Sequence, residues 1–173
     1  MLIAMAGLPG SGKSTIAEVV GARLGLPIVS VDPIESAILS AGIAADQPTG
    51  LAAYLVTETI TASVLAVGSG VVVDAVNAVS AAREQWVALA ERTGMPLRFV
   101  EVICTDRALH RARLEARERT LPHLAEPSWH AVEQSLDEYE QWTGSASAVA
   151  RVTVDSAQPL GANVDRVIEF LQA

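Results

Sequence analysis

At 173 residues, half of them hydrophobic and with a mean hydropathy of +0.34, the chain fits one domain (1–173) with a sizeable core, of the kind a parallel sheet covered on both faces provides. Twelve basic against twenty acidic residues leave a formal charge of −8, which excludes a general nucleic-acid binder because nothing here could neutralise a long phosphate backbone. No apolar run approaches the roughly 20 residues of a bilayer span, and the single cysteine, Cys104, cannot form an internal disulfide, so a cytoplasmic protein with a buried, inert thiol is expected.

The apolar run from Leu2 to Ala6 is too short, and lacks the basic flank, for a signal peptide, and it reads as a buried strand. It leads directly into Gly7-Leu8-Pro9-Gly10-Ser11-Gly12-Lys13-Ser14-Thr15, which meets every position of G-x-x-x-x-G-K-[ST]. Ile16 to Leu24 follows with helical spacing of Ile16, Val19, Val20 and Leu24. Strand, glycine loop and helix is the context a phosphate loop requires. Glycines let successive N–H groups converge on one point, and the helix starting near Lys13 adds the positive end of its dipole. Residues 7–15 are therefore expected to hold the phosphates of a nucleotide. Lys13 would reach the β- and γ-phosphates, and the Ser14 hydroxyl would take one place on Mg²⁺ with Thr15 supporting it. Lys13 is also the only lysine, the other eleven basic residues being arginine, so the one compact ammonium stands where a point charge is wanted.

Pro27 to Val31 reads as a second strand ending at Asp32-Pro33-Ile34-Glu35, where Asp32 at N-cap, Pro33 at N1 and Glu35 at N3 would start a helix. Capping alone would explain Asp32. Its place at the carboxyl end of a strand also suits a general base facing the γ-phosphate, and the two roles are compatible. Gly42 to Gly50 is expected to be a loop and Leu51 to Val67 a long helix, with Tyr54, Thr57 and Glu58 as either substrate contacts or a surface stripe. Val71-Val72-Val73-Asp74 is a hydrophobic strand closed by an acid, the Walker-B pattern in which Asp74 holds Mg²⁺ directly or through water. Asn77 is either a turn former or a residue that orients the same crevice.

Ser80 to Arg92 has the pattern of an amphipathic helix with Trp86, Leu89 and Ala90 inward, and Leu97 to Cys104 that of a fourth strand with Arg98 and Glu101 on opposite faces. Five of the twelve basic residues then fall between Asp106 and Arg119. Arg107 with Arg111, and Arg113 with Arg117, share helix faces. This concentration reads either as an anion clamp, with Arg113 and Arg117 preferred, or as a solvated helix paired with Glu115 and Glu118. The three histidines, His110, His123 and His130, have no metal-site spacing and are expected at the surface or an interface. Thr120 to Pro127 is expected to be a loop, Ser128 to Trp142 a helix capped by Ser128, Arg151 to Asp155 the last strand and Val164 to Leu171 the closing helix. The segment from Asp155 to Leu160 would border an adenine, and the lack of an Asn-Lys-x-Asp element favours ATP. Strands and helices alternate, which indicates an α/β fold of five strands.

The segments GLPGSGKST, VSVD, VVVDAVN, ICTDRALHRARLEAR and EPSWHAVEQSLDEYEQW together resemble the small P-loop predicted kinases, often labelled AAA-type ATP-binding proteins and related to polynucleotide kinases, zeta toxins and chloramphenicol phosphotransferase. The resemblance covers nearly the whole chain. It implies a three-layer P-loop fold with a parallel sheet in the order 2-3-1-4-5, like that of nucleoside monophosphate kinases. It further implies Asp32 as catalytic base, and a lid around residues 107–127 whose arginines are best matched by Arg113 and Arg117. One departure is Glu35, where members resembling polynucleotide kinase carry arginine; an acid there repels a phosphorylated acceptor. The expected activity is transfer of the γ-phosphate of ATP, with Mg²⁺, to a hydroxyl of a small molecule, by a monomer or small homo-oligomer without nucleic-acid or membrane partners. A polynucleotide or nucleoside 5′-hydroxyl kinase and an ATPase switch are the competing readings.

Overall fold

The computed structural model describes residues 1–117 and 121–173; Glu118, Arg119 and Thr120, which end the arginine-rich stretch and begin the loop after it, lie outside the described residues. Five strands, β1 (Leu2–Ala6), β2 (Ile28–Ser30), β3 (Val71–Asp74), β4 (Leu97–Ile103) and β5 (Arg151–Asp155), form one sheet in the order β2-β3-β1-β4-β5. Every pairing is parallel, with Leu2 beside Val71 on one flank and beside Leu97 on the other. This is the fold implied by the resemblance.

All five residues of β1 and all four of β3 are buried, as expected of strands covered on both faces. Alternation splits them between two cores. Leu2, Ala4, Val71, Val73 and Phe99 face α3 (Thr49–Ala66) and α4 (Ser80–Thr93), where Trp86 is completely buried. Ile3, Met5, Val72, Val100 and Val154 face α1 (Lys13–Leu24) and α7 (Leu160–Gln172). A third, smaller cluster joins Leu8 of the phosphate loop to Leu114 of α5 (Arg107–Ala116) and Val132 of α6 (Trp129–Asp137).

Several boundaries differ from the sequence reading. The helix α2 (Val31–Ser40) begins at Val31 with Ser30 at its N-cap, so Asp32 lies in the first turn and is not the cap. Pro33 remains within the first turn, where a missing N–H costs nothing. Ser128 does cap α6, its side chain accepting from the Ala131 amide, but α6 stops at Asp137 rather than Trp142. The reason is a buried polar knot. Glu101 accepts from the Tyr139 hydroxyl at 3.1 Å, from Trp142 Nε1 at 2.8 Å and from Thr153 Oγ1 at 2.8 Å. Tyr139 and Trp142 both reach it from the non-helical segment that follows α6. Burial and the neighbouring Glu101 carboxylate push the Tyr139 phenol well above its ordinary value. Cys104 falls just past β4, half-buried rather than sealed in the core, with Sγ 3.3 Å from the Asp106 carbonyl.

The helix α3 is apolar all round. Its buried seam is Ala53, Thr57, Thr61 and Leu65, while Leu51, Leu55, Val56 and Ile60 are exposed. At 18 residues and a mean hydropathy of 1.3, with 28% of it buried, α3 reaches the length and composition of a membrane span, contrary to the expectation that no segment would.

Candidate active site

β1 delivers the chain to Gly7, whose amide donates to the Val76 carbonyl at 2.9 Å and so ties the loop entrance to the segment after β3. Gly7 sits at φ +145, and a Cβ there would lie 2.4 Å from the Val102 carbonyl oxygen, so only glycine fits. At the exit, Gly12 caps α1 in the left-handed region (φ 87) without a side-chain cap, leaving the first amides of α1 for a ligand. Lys13 begins α1 and is 5% exposed.

Over this loop lies a cavity of about 470 Å³, walled by Gly12, Lys13, Ser14 and Thr15 on one side and by Arg113 and Arg117 on the other. Arg113 is braced by the β5–α7 turn: Nη1 donates to Ser156 Oγ at 2.9 Å and Nη2 to the Ser156 carbonyl at 3.1 Å. Arg117 stands 3.6 Å from a Glu126 carboxylate oxygen. Arg107 and Arg111 are exposed, and Arg111 pairs with Glu115 at 2.7 Å, one turn along the same helix. The four arginines of α5 and its cap thus divide into two that face the phosphate cavity and two that face solvent.

A second cavity of about 260 Å³ continues from Gly12, Ile16 and Arg113 to Ser156, Gln158, Leu160 and Asn163. Its outer turn is fixed by Asp155, which accepts from the amides of Thr105 (3.1 Å) and Ala157 (3.0 Å) and from the Thr105 hydroxyl. That hydroxyl bond, with the two amides, holds the Asp155 carboxyl below its ordinary value. Asn163 Nδ2 donates to the Asp155 carbonyl at 2.8 Å from the first turn of α7.

On the other flank, the ends of β2 and β3 bring Ser30 Oγ to 3.5 Å from Asp74 Oδ2, while Asp74 Oδ1 is buried with no hydrogen-bond partner among the described residues. An orphaned buried carboxylate oxygen is costly unless a cation takes it, and it suits a hard ion such as Mg²⁺. Asp32 and Asp74 both bear on Tyr54, whose hydroxyl accepts from the Asn77 amide at 3.2 Å. Burial, then these two negative charges, push the Tyr54 phenol above its ordinary value. Of the two other α3 candidates, Thr57 is fully buried against the Ala53 carbonyl and Glu58 is engaged by Arg92 and Gln85, so neither faces this crevice. Asn77 is a turn former whose side chain is completely buried. It turns at φ 48, and its side chain bonds the Met5 carbonyl at 2.7 Å and Trp86 Nε1 at 2.9 Å.

Two buried polar side chains, Arg83 and His110, are not foreseen from the sequence. Arg83 is completely buried, its guanidinium donating to the carbonyls of Asn77, Ala78, Glu140 and Gln141 and stacking on Trp142 at 4.2 Å. His110 is 2% exposed, contrary to the surface position expected of it, whereas His123 and His130 are exposed. Its Nε2 lies 2.8 Å from the Pro9 carbonyl, which requires the proton on Nε2, and its ring meets Trp129 edge-on at 5.3 Å. The only sequence sign of either was position, one turn from residues already of interest.

The sequence model of an AAA domain family, AAA_33, matches residues 2–142. No protein of curated function matches the chain. Among solved structures, a sugar kinase from a Janibacter species superposes with a TM-score of 0.73 at 18% identity, over 99% of this chain and 94% of its own. A gluconokinase from Sinorhizobium meliloti gives 0.65 at 23% identity, over 98% and 94%. The APS kinase CysC of Mycobacterium tuberculosis, in complex with AMPPNP and APS, gives 0.65 at 18% identity, over 99% and 97%. At these identities the likeness is one of fold.

Proposed function

We propose that this chain, which belongs to the AAA domain family AAA_33, is a kinase that transfers the γ-phosphate of ATP to a hydroxyl of a small molecule, with Mg²⁺. The observation that carries the reading is the 470 Å³ cavity in which the second half of the phosphate loop faces two arginines, with Asp32 in the first turn of α2 and Asp74 at the end of β3 both bearing on Tyr54 nearby. The fold neighbours that are a sugar kinase, a gluconokinase and an APS kinase support the same class.

In this reading, residues 7–15 wrap the triphosphate tail and the cavity beside Ser156 takes the base. Lys13, Arg113 and Arg117 face the charge that spreads over the transferring oxygens, an arrangement in which each donor is worth about 10²–10³ in rate. Asp32 accepts the acceptor's hydroxyl proton as the new O–P bond forms and the bond to the ADP oxygen breaks. Ser14 and Asp74 would hold Mg²⁺, which neutralises phosphate charge. A small acceptor is favoured over a 5′-phosphorylated or polymeric one because Glu35, bonded to Thr49 Oγ1 at 2.8 Å, places a carboxylate next to Asp32.

The test is Asp32→Asn. Turnover is expected to fall about 10³-fold while MgAMPPNP affinity, read by calorimetry, stays within about twofold. Unchanged turnover would remove Asp32 from the chemistry.

A further inference from the structure

On the side of the phosphate loop away from β5, a cavity of about 360 Å³ opens between the first turns of α3 and the segment joining β3 to α4. Leu51, Tyr54, Val76, Val79, Ala82 and Gln85 make its walls, and no charged side chain is among the described residues that line it. Three contacts set it against the reacting centre. Val76 holds the loop entrance through its carbonyl, 2.9 Å from the Gly7 amide. Tyr54 presents its hydroxyl at Asn77 and shares the field of Asp32 and Asp74. Gly50 abuts Glu35, whose Oε1 would lie 3.6 Å from a Cβ placed there. The apolar lining continues outward onto a rim, where Leu51 is 61% and Val79 43% exposed.

Resting on the kinase reading, we propose that this cavity receives the non-reacting body of the acceptor, and that the acceptor is an alcohol with a largely apolar body and no anionic group. Charge argues this first. Among the described residues, Glu35 sets a carboxylate against Gly50 at the mouth, and no charged side chain lines the cavity to receive an acid or phosphate ester. Arg83 runs behind the wall, but its nitrogens donate to four backbone carbonyls and its plane is stacked against Trp142, so it offers no fork to an anion. Hydrogen bonding argues the same way. A polyol brings several hydroxyls that each require a partner, whereas the wall's polar side chains are Tyr54 and Gln85, and the Gln85 amide nitrogen already donates to Glu58 at 2.6 Å. An aromatic or branched aliphatic body instead meets leucine, valine and alanine, and directs its hydroxyl toward Tyr54 and Asp32.

The experiment loads the full chain with MgAMPPNP, checks that binding by calorimetry, and then measures the affinities of 2-phenylethanol, glycerol and glycerate by ligand-observed saturation-transfer NMR. Binding of 2-phenylethanol at least about tenfold tighter than either polar probe is expected, the factor one buried ring supplies. Ala82→Phe, which fills the cavity from a half-exposed helical position, and Leu51→Asp, which charges its exposed rim, are each expected to weaken 2-phenylethanol by a similar factor; the second serves if the first melts early. Tighter binding of glycerol or glycerate, binding of none of the three, or indifference of 2-phenylethanol to both substitutions overturns the proposal while leaving the kinase reading standing. Failure of MgAMPPNP itself to bind removes the kinase reading and this one with it.

Discussion

Toward β5 the phosphate loop is flanked by Arg113, Ser156 and Asn163; toward β2 it is flanked by Asp32, Asp74, Tyr54 and the apolar wall of α3. The first flank is polar and cationic, set by backbone amides and a guanidinium gripping a turn. The second is acidic where it meets the loop and greasy beyond it. The two flanks therefore differ in charge as well as in lining. The lesson is that the phosphate loop itself is local in sequence, whereas both of its flanks are assembled from segments tens of residues apart.

The contrast is broken most severely at Lys13. Lys13→Ala is expected to lower kcat/KM by about 10³-fold, roughly 4 kcal/mol, with loss of MgAMPPNP binding in calorimetry and no fall in melting temperature. A fully active variant would show that the amides alone carry the phosphates. On the other flank the sensitive element is structural. Arg83→Leu removes the guanidinium donor from four backbone carbonyls, of which that of Ala78 keeps the Glu140 amide, and is expected to cost about 3–5 kcal/mol in urea unfolding, against almost nothing for Arg107→Leu on the solvent face of α5. Equal losses would mean that burial of Arg83 is incidental.

The smallest effect separates the flanks by pH. Because the folded Asp155 carboxyl is held below its ordinary value, its contribution is complete above about pH 4, the unfolded carboxylate value, and is lost as pH falls through the lower folded one. Amide exchange at Thr105 and Ala157 is therefore expected to stay protected down to about pH 4 and to rise below it, and Asp155→Asn to abolish that step. A step in the same place in the variant would assign it to another group.

What could be read from the sequence, and what could not, follows the same division. The phosphate loop, the strand-then-acid pattern before Asp74 and the all-parallel sheet rest on periodicity and spacing within a dozen residues, and the folded chain has them. Helical spacing pairs Arg107 with Arg111 and Arg113 with Arg117 alike; the resemblance matches the second pair to lid arginines, and that pair does line the cavity. The helix start is read two positions late, at Asp32 and not Ser30, because Asp-Pro-x-Glu is itself a good helix start and local chemistry does not reveal that β2 is only three residues long. Arg83, Glu101, His110 and the early end of α6 were illegible for a different reason. Each depends on partners 38 to 101 residues away, and a buried polar network has no signature until the fold has brought its members together.

The imidazole of His110, seated on the Pro9 carbonyl, bolts the helix that bears Arg113 to the floor of the phosphate cradle. Swinging that helix outward would strip the carbonyl of its proton donor at about 1–3 kcal/mol and wet the Leu8–Leu114 contact. The guanidinium wall beside Ser156 therefore stands before any ligand arrives, and the entropy of erecting it is charged to folding rather than to each catalytic cycle.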